Sequence, residues 1–169
     1  MVRKLDESNR PIVLTSATHP NNLLRFLLTV SLGHDPIEEC IELGDIVGLN
    51  VYPVVGHKLW GRNIYIRTKR AERDQYFARL FTHIRNKGKD VWIMELQAEP
   101  WEPGHLAYKE KEKSKTASPQ ETKGFLAEFQ DLKVNTILLW GAEYWIYRSQ
   151  AHGDQSWINE MREIIKSYR

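Results

Sequence analysis

One cysteine, Cys40, is all the chain has, so no disulfide can form within it. A lone thiol of this kind is by default a small, half-buried apolar side chain. Charge of one sign is not in excess: 24 basic residues face 22 acidic ones, for a net charge of +2. Nucleic acid and anionic membrane surfaces are therefore not expected partners. Long apolar runs are missing too. The most apolar stretch, residues 23–32, is interrupted by Arg25 and falls short of the roughly 20 residues a membrane-spanning helix needs. Residues 1–10 contain no apolar leader core, which gives the expectation of a cytoplasmic chain; a preceding half could have carried a leader. No glycine-rich nucleotide loop follows any strand-like segment, and His19, His57 and His152 match no metal signature such as His-Glu-x-x-His. No cofactor and no metal is expected, and those histidines read as polar loop residues.

What the chain does have is the composition of a folded globular protein, 41% hydrophobic and 27% charged, with six Trp and seven Tyr. Its length suits a single domain over residues 1–169. Four short segments, residues 10–16, 45–53, 91–95 and 135–141, are β-branched, aromatic-rich and bounded by Pro, Gly, Asp or Asn, which predicts strands. Their apolar runs are nearly continuous, which favours a parallel sheet. Helical spacing lies between them. Residues 71–87 carry Tyr76, Phe77, Leu80, Phe81 and Ile84 at helical intervals, with Gly88 as a stop. Ser118-Pro119-Gln120-Glu121 is a capping box before the stripe Phe125, Leu126, Phe129 and Leu132. Ser156 is placed to cap a last helix with Ile158, Met161, Ile164 and Ile165 inward. Residues 20–43 read as two short helices broken at Gly33-His34-Asp35-Pro36, and residues 108–118 as a solvated loop. The expectation is an α/β fold of four βα units.

The strand ends carry the chemistry. Residues 90–96 run Asp90-Val91-Trp92-Ile93-Met94-Glu95-Leu96, an apolar strand that presents a carboxylate near its end. The segment Asp45-Ile46-Val47-Gly48-Leu49-Asn50-Val51-Tyr52-Pro53 resembles the sixth strand of the retaining glycoside hydrolases with a (β/α)8 barrel, the cellulase and β-galactosidase superfamily. Trp92-Ile93-Met94-Glu95-Leu96-Gln97 resembles their seventh strand, and Leu139-Trp140-Gly141-Ala142-Glu143-Tyr144-Trp145 their eighth; residues 10–16 resemble the fifth. The resemblance covers nearly the whole chain, in order. It implies a partial TIM barrel corresponding to strands five to eight. It also implies that Glu95 occupies the position of the nucleophile and Tyr52 that of its hydrogen-bonding partner. In the same comparison Trp140 is the sugar platform. Asn50, Gln97, Trp101 and Glu143, near the strand ends, are further substrate-binding candidates, and Glu99 is placed to line the cleft.

The family's acid/base Glu, at the end of the fourth strand, has no counterpart in the sequence, and a full barrel takes about 250 residues. The chain is accordingly expected to be a glycosidase-like half-barrel that is inactive alone. A carbohydrate is the expected ligand, and an N-terminal half-barrel or a second copy in a homodimer the expected partner. Glu143 is the nearby carboxylate that could stand in as proton donor. The alternative expectation is a non-catalytic, carbohydrate-binding or self-assembling half-barrel scaffold. A further alternative is an open doubly wound sheet unrelated to glycosidases.

Overall fold

A computed structural model describes residues 8–21, 26, 29–103 and 114–167. In chain order these form β1 (Val13–Thr18), α1 (Pro36–Leu43), β2 (Ile46–Val51), β3 (Val54–Leu59), β4 (Arg62–Arg67), α2 (Arg70–Asn86), β5 (Asp90–Gln97), α3 (Pro119–Asp131), β6 (Ile137–Trp140), α4 (Ala142–His152) and α5 (Ser156–Ser167). Strands β1, β2, β5 and β6 make one parallel sheet in that order, and β3 and β4 form a separate antiparallel hairpin. The fold is thus mixed α/β with a four-stranded parallel sheet and alternating strands and helices. Each sheet strand neighbours the next one in sequence. A doubly wound sheet reverses its strand order at a switch point, and these four strands show no reversal.

One face of the sheet is covered and the other is open. Val47, Leu49, Val51, Val91, Ile93 and Leu96 are all essentially inaccessible and pack with Phe77, Phe81, Ile84 and Phe129 from α2 and α3. The three phenylalanines form a tilted and edge-on cluster, with Phe77 5.0 Å from Phe129 and 5.6 Å from Phe81 between ring centres. Aromatic pairs of this geometry add about 1 kcal/mol each beyond their buried area. The intervening residues face away from this core. Thr15, Ala17, Leu138 and Trp140 are exposed, and Asn50, Trp92 and Met94 are half-buried. In register, Thr15, Gly48 and Trp92 make one row across this open face, and Ala17, Asn50 and Glu95 the next.

Helix ends follow local chemistry. Asp35 accepts the Ile37 amide at 2.9 Å and Pro36 opens α1. Ser118 accepts the Glu121 amide at 3.2 Å with Pro119 in the first turn of α3, and its hydroxyl donates to the Glu121 carboxylate at 3.1 Å, so the side-chain half of the expected capping box is present. Gly88, at φ 73°, ends α2. The α2–α3 seam holds a buried ion pair. Arg73 donates to both carboxylate oxygens of Glu128, at 2.7 and 2.8 Å.

Several expectations need correction. The four strands are present with shifted ends, but the hairpin β3–β4 was not anticipated. Its two runs are joined by Trp60-Gly61 rather than Asn-Gly, the stronger hairpin signal. Ser156 does not cap α5. It is the first helical residue, and its amide and hydroxyl both donate to Asp154. Ile165 is exposed, and Trp157 takes an inward place with Met161 and Ile164. The segment 108–118 is not wholly a solvated loop. Thr116 and Ala117 are buried, while residues 104–113 lie outside the described residues. Of the two short helices expected over residues 20–43, the second is α1; most of the first lies outside the described residues.

Candidate functional site

Glu95 owes its position to a β-bulge. Leu49 pairs with Ile93, but the next residue, Asn50, pairs with Glu95. On the other side Ile93 pairs with Ile137 and Leu96 with Leu139, so β5 carries one extra residue against both neighbours. Strand residues alternate faces, and an inserted residue resets the alternation. Without the bulge, Glu95 would follow Val91 and Ile93 into the core. With it, Leu96 takes the core position and Glu95 turns to the open face beside Asn50.

There Tyr52 meets it. The Tyr52 hydroxyl donates to Glu95 Oε2 at 2.6 Å. Tyr52 follows β2 directly, so both groups stand at the C-terminal ends of adjacent parallel strands. Chemistry in barrels of parallel strands sits at this end. Burial first, then the hydrogen bond to Glu95 and the charges of Glu95 and Glu99, push the Tyr52 phenol far above its ordinary value. The phenol therefore stays protonated and remains a donor. Trp101 leans on the Tyr52 ring at 4.7 Å and 50° while leaving 44% of its own surface exposed.

Trp140, at the end of β6, is 47% exposed on the open face. Gly141 follows at φ 137°, and a Cβ there would lie 2.7 Å from the Ala98 carbonyl oxygen. Only glycine lets the chain turn so close to the loop after β5. Trp145 secures the same joint by donating its ring nitrogen to Ala98 O at 2.6 Å. The structure thus brings Asn50, Tyr52, Glu95, Trp101 and Trp140 to one rim. Glu143 lies exposed in the first turn of α4. Glu99 is buried, and close enough to Tyr52 for its charge to act on the phenol.

Gln97 is the clear correction. It is fully buried and spent on the scaffold. Its Oε1 accepts the Val54 amide at 3.1 Å, and its Nε2 donates to Val54 O at 2.7 Å and toward the carbonyls of Thr116 and Glu99. It clasps the hairpin and the returning loop to β5 and has nothing left for a ligand. The same loop is held by Glu102, whose Oε1 accepts from the Ser114 and Thr116 hydroxyls and from the amides of Lys115 and Thr116. Burial works to raise the Glu102 carboxyl, but these donors outweigh it and hold it below its ordinary value.

The histidines also differ from expectation. His19, directly after β1, is a loop residue as expected, but a buried one. Burial, and then the neighbouring His57, lower its basicity, and its Nδ1 accepts the Asn21 amide at 3.1 Å. His57 lies within β3, and His152 ends α4. Among the described residues, Asn50 Oδ1 is enclosed without a hydrogen-bond partner. No group of three or more His, Cys, Asp or Glu among them could hold a metal ion, and no helix among them is long and apolar enough to cross a membrane.

Two clefts, of about 670 and 740 Å³, lie in the helical layer, one between α1 and α2 and the other among α3, α4 and α5. Neither is lined by Tyr52 or Glu95. The candidate site is an open sheet face, and chemistry rather than concavity marks it. No protein-family model matches the chain, and no curated protein matches it.

Proposed function

We propose that this chain is a glycosidase-like half-barrel, corresponding to strands five to eight of a (β/α)8 barrel, with Glu95 as the nucleophile of a retaining mechanism. The observation that carries the reading is the 2.6 Å hydrogen bond from Tyr52 to Glu95 at the ends of neighbouring parallel strands. The unreversed order of the four strands supports the barrel, as does the contrast between one helix-covered face and one open face.

In this reading a glycoside lies across the open face with one sugar against Trp140. Asn50 bonds a ring hydroxyl. Glu95 attacks the anomeric carbon; a carboxylate–carbon bond forms as the glycosidic carbon–oxygen bond breaks. Tyr52 holds the carboxylate in place through its hydrogen bond. The leaving oxygen takes a proton from a second carboxyl group roughly 5 Å from the first, which later deprotonates the water that releases the sugar. That second group comes from strands that face these four, in an N-terminal half-barrel or in a second copy of this chain.

The test uses dinitrophenyl β-glycosides, whose leaving group departs as a stable anion and needs no acid. Dinitrophenolate release that disappears in Glu95→Gln supports the proposal. Release unchanged by that substitution overturns it. The second reading, a carbohydrate-binding scaffold without turnover, rests on the sequence, which carries no counterpart of the family's acid/base Glu. Sugar binding with no release in the wild-type chain would favour it.

A further inference from the structure

The hairpin β3–β4 has no part in the chemistry above. It begins two residues after Tyr52 and is fastened to the same rim. The Gly56 amide donates to Trp101 O at 2.7 Å, and a Cβ on Gly56 would lie 2.4 Å from Pro103 Cδ, so the arm presses flat against the loop that carries Trp101. From that anchor four further residues lead to the tip. At strand spacing they reach about 13 Å, about two to three pyranose rings laid end to end.

The tip is Trp60-Gly61. Both residues have positive φ, 48° and 75°, which is the geometry of a tight two-residue hairpin turn. Glycine adopts it freely, whereas tryptophan is strained there. A sequence shaped by the turn alone would carry Asn-Gly. Trp60 is nevertheless 92% exposed, and Leu59 and Ile64 beside it are also exposed. The strained position therefore holds a bare indole that contributes nothing to the core. The hairpin carries Lys58, Arg62 and Arg67 and no carboxylate of its own. Three of the six tryptophans, Trp60, Trp101 and Trp140, are more than two-fifths exposed, and each follows the C-terminal end of a sheet strand or belongs to the hairpin fastened there.

We propose that the hairpin is the wall of a distal subsite, with Trp60 stacking on a sugar beyond the one at Glu95. The substrate class is then an oligosaccharide or polysaccharide chain rather than a small glycoside. The inference rests on the glycosidase reading and deepens it.

The test is Trp60→Asn, which replaces the strained residue with the one the turn prefers and so keeps the hairpin folded. Binding of β-linked gluco- and manno-oligosaccharides is measured by calorimetry, disaccharide against pentasaccharide. Trp60→Asn should weaken pentasaccharide binding about three- to tenfold, the worth of one aromatic stacking contact. It should leave disaccharide binding unchanged and the melting temperature equal or higher. Equal loss for both lengths, no loss for either, or no binding of any of these sugars overturns the proposal. So does a change in oligomeric state on sedimentation, which would make the hairpin an arm between copies. The two readings fail separately. Pentasaccharide preference that depends on Trp60, with dinitrophenolate release indifferent to Glu95→Gln, retains the subsite and removes the nucleophile. The reverse result retains the nucleophile and removes the subsite.

Discussion

Tyr52 donates its hydroxyl proton to Glu95 Oε2 at 2.6 Å, across a pairing that exists only because β5 carries an extra residue at this level. Tyr52→Phe keeps the ring and its contact with Trp101 and removes only the donor. A hydrogen bond to a charged group is worth about 1.5–3 kcal/mol, so the rate of dinitrophenolate release should fall roughly ten- to a hundredfold. A rate unchanged in Tyr52→Phe would assign Tyr52 to packing alone.

The Tyr52 and Tyr144 phenols are both raised above their ordinary value of 10.0, in each case mainly by burial. A group whose folded value is raised holds its full contribution to stability below the unfolded value and loses it as pH rises. The contribution of these two phenols should accordingly be flat below about pH 10 and fall above it. Denaturant midpoints measured on the alkaline side should fall less steeply in Tyr52→Phe than in the wild-type chain.

Gln97 separates scaffold from site. Removing its amide in Gln97→Ala leaves the Val54 amide and carbonyl unpaired in a buried place, which should cost about 2–4 kcal/mol. Chemical denaturation should show that loss. Disaccharide affinity, measured under conditions where the variant is folded, should stay unchanged.

Asp154 gives the acid-side counterpart. The Ser156 hydroxyl, then Arg148 and the Ser156 amide, pull its carboxyl from 3.8 to about 2 against the opposing effect of burial. A depressed carboxyl contributes its stability above the unfolded value and loses it as pH falls through the folded one. Stability should therefore decline between about pH 4 and pH 2. Asp154→Asn should be less stable at neutral pH and should flatten that decline, because it weakens the partner of the buried Arg148 as well as the α5 cap.

The elements legible in the sequence are those whose signals are local. The α2 stripe, the Ser118-Pro119 cap and the four apolar strands each depend on residues within a few positions of one another, and all are present. The positions of Tyr52 and Glu95 at strand ends were legible for the same reason. The facing of Glu95 was not, because a bulge is a matter of pairing between strands. Gln97 reads as a polar residue after the strand-end Glu95 and becomes a clasp only through Val54, 43 positions away. The hairpin was obscured by Trp60-Gly61, a turn pair chosen against the usual preference. Asp154 displaced Ser156 as the α5 anchor because its carboxylate serves Arg148 and the helix start together.

The central claim is that Glu95 can attack an anomeric carbon. It is tested most directly by exposing the chain to a fluorinated-sugar glycoside with a dinitrophenyl leaving group, followed by intact-mass measurement and peptide mapping. The sugar's fluorine slows release of the covalent ester, and the leaving group needs no proton. The account predicts a single glycosyl adduct on Glu95, absent in Glu95→Gln and formed more slowly in Tyr52→Phe. An unlabelled wild-type chain, or an adduct on any other carboxylate, would contradict it.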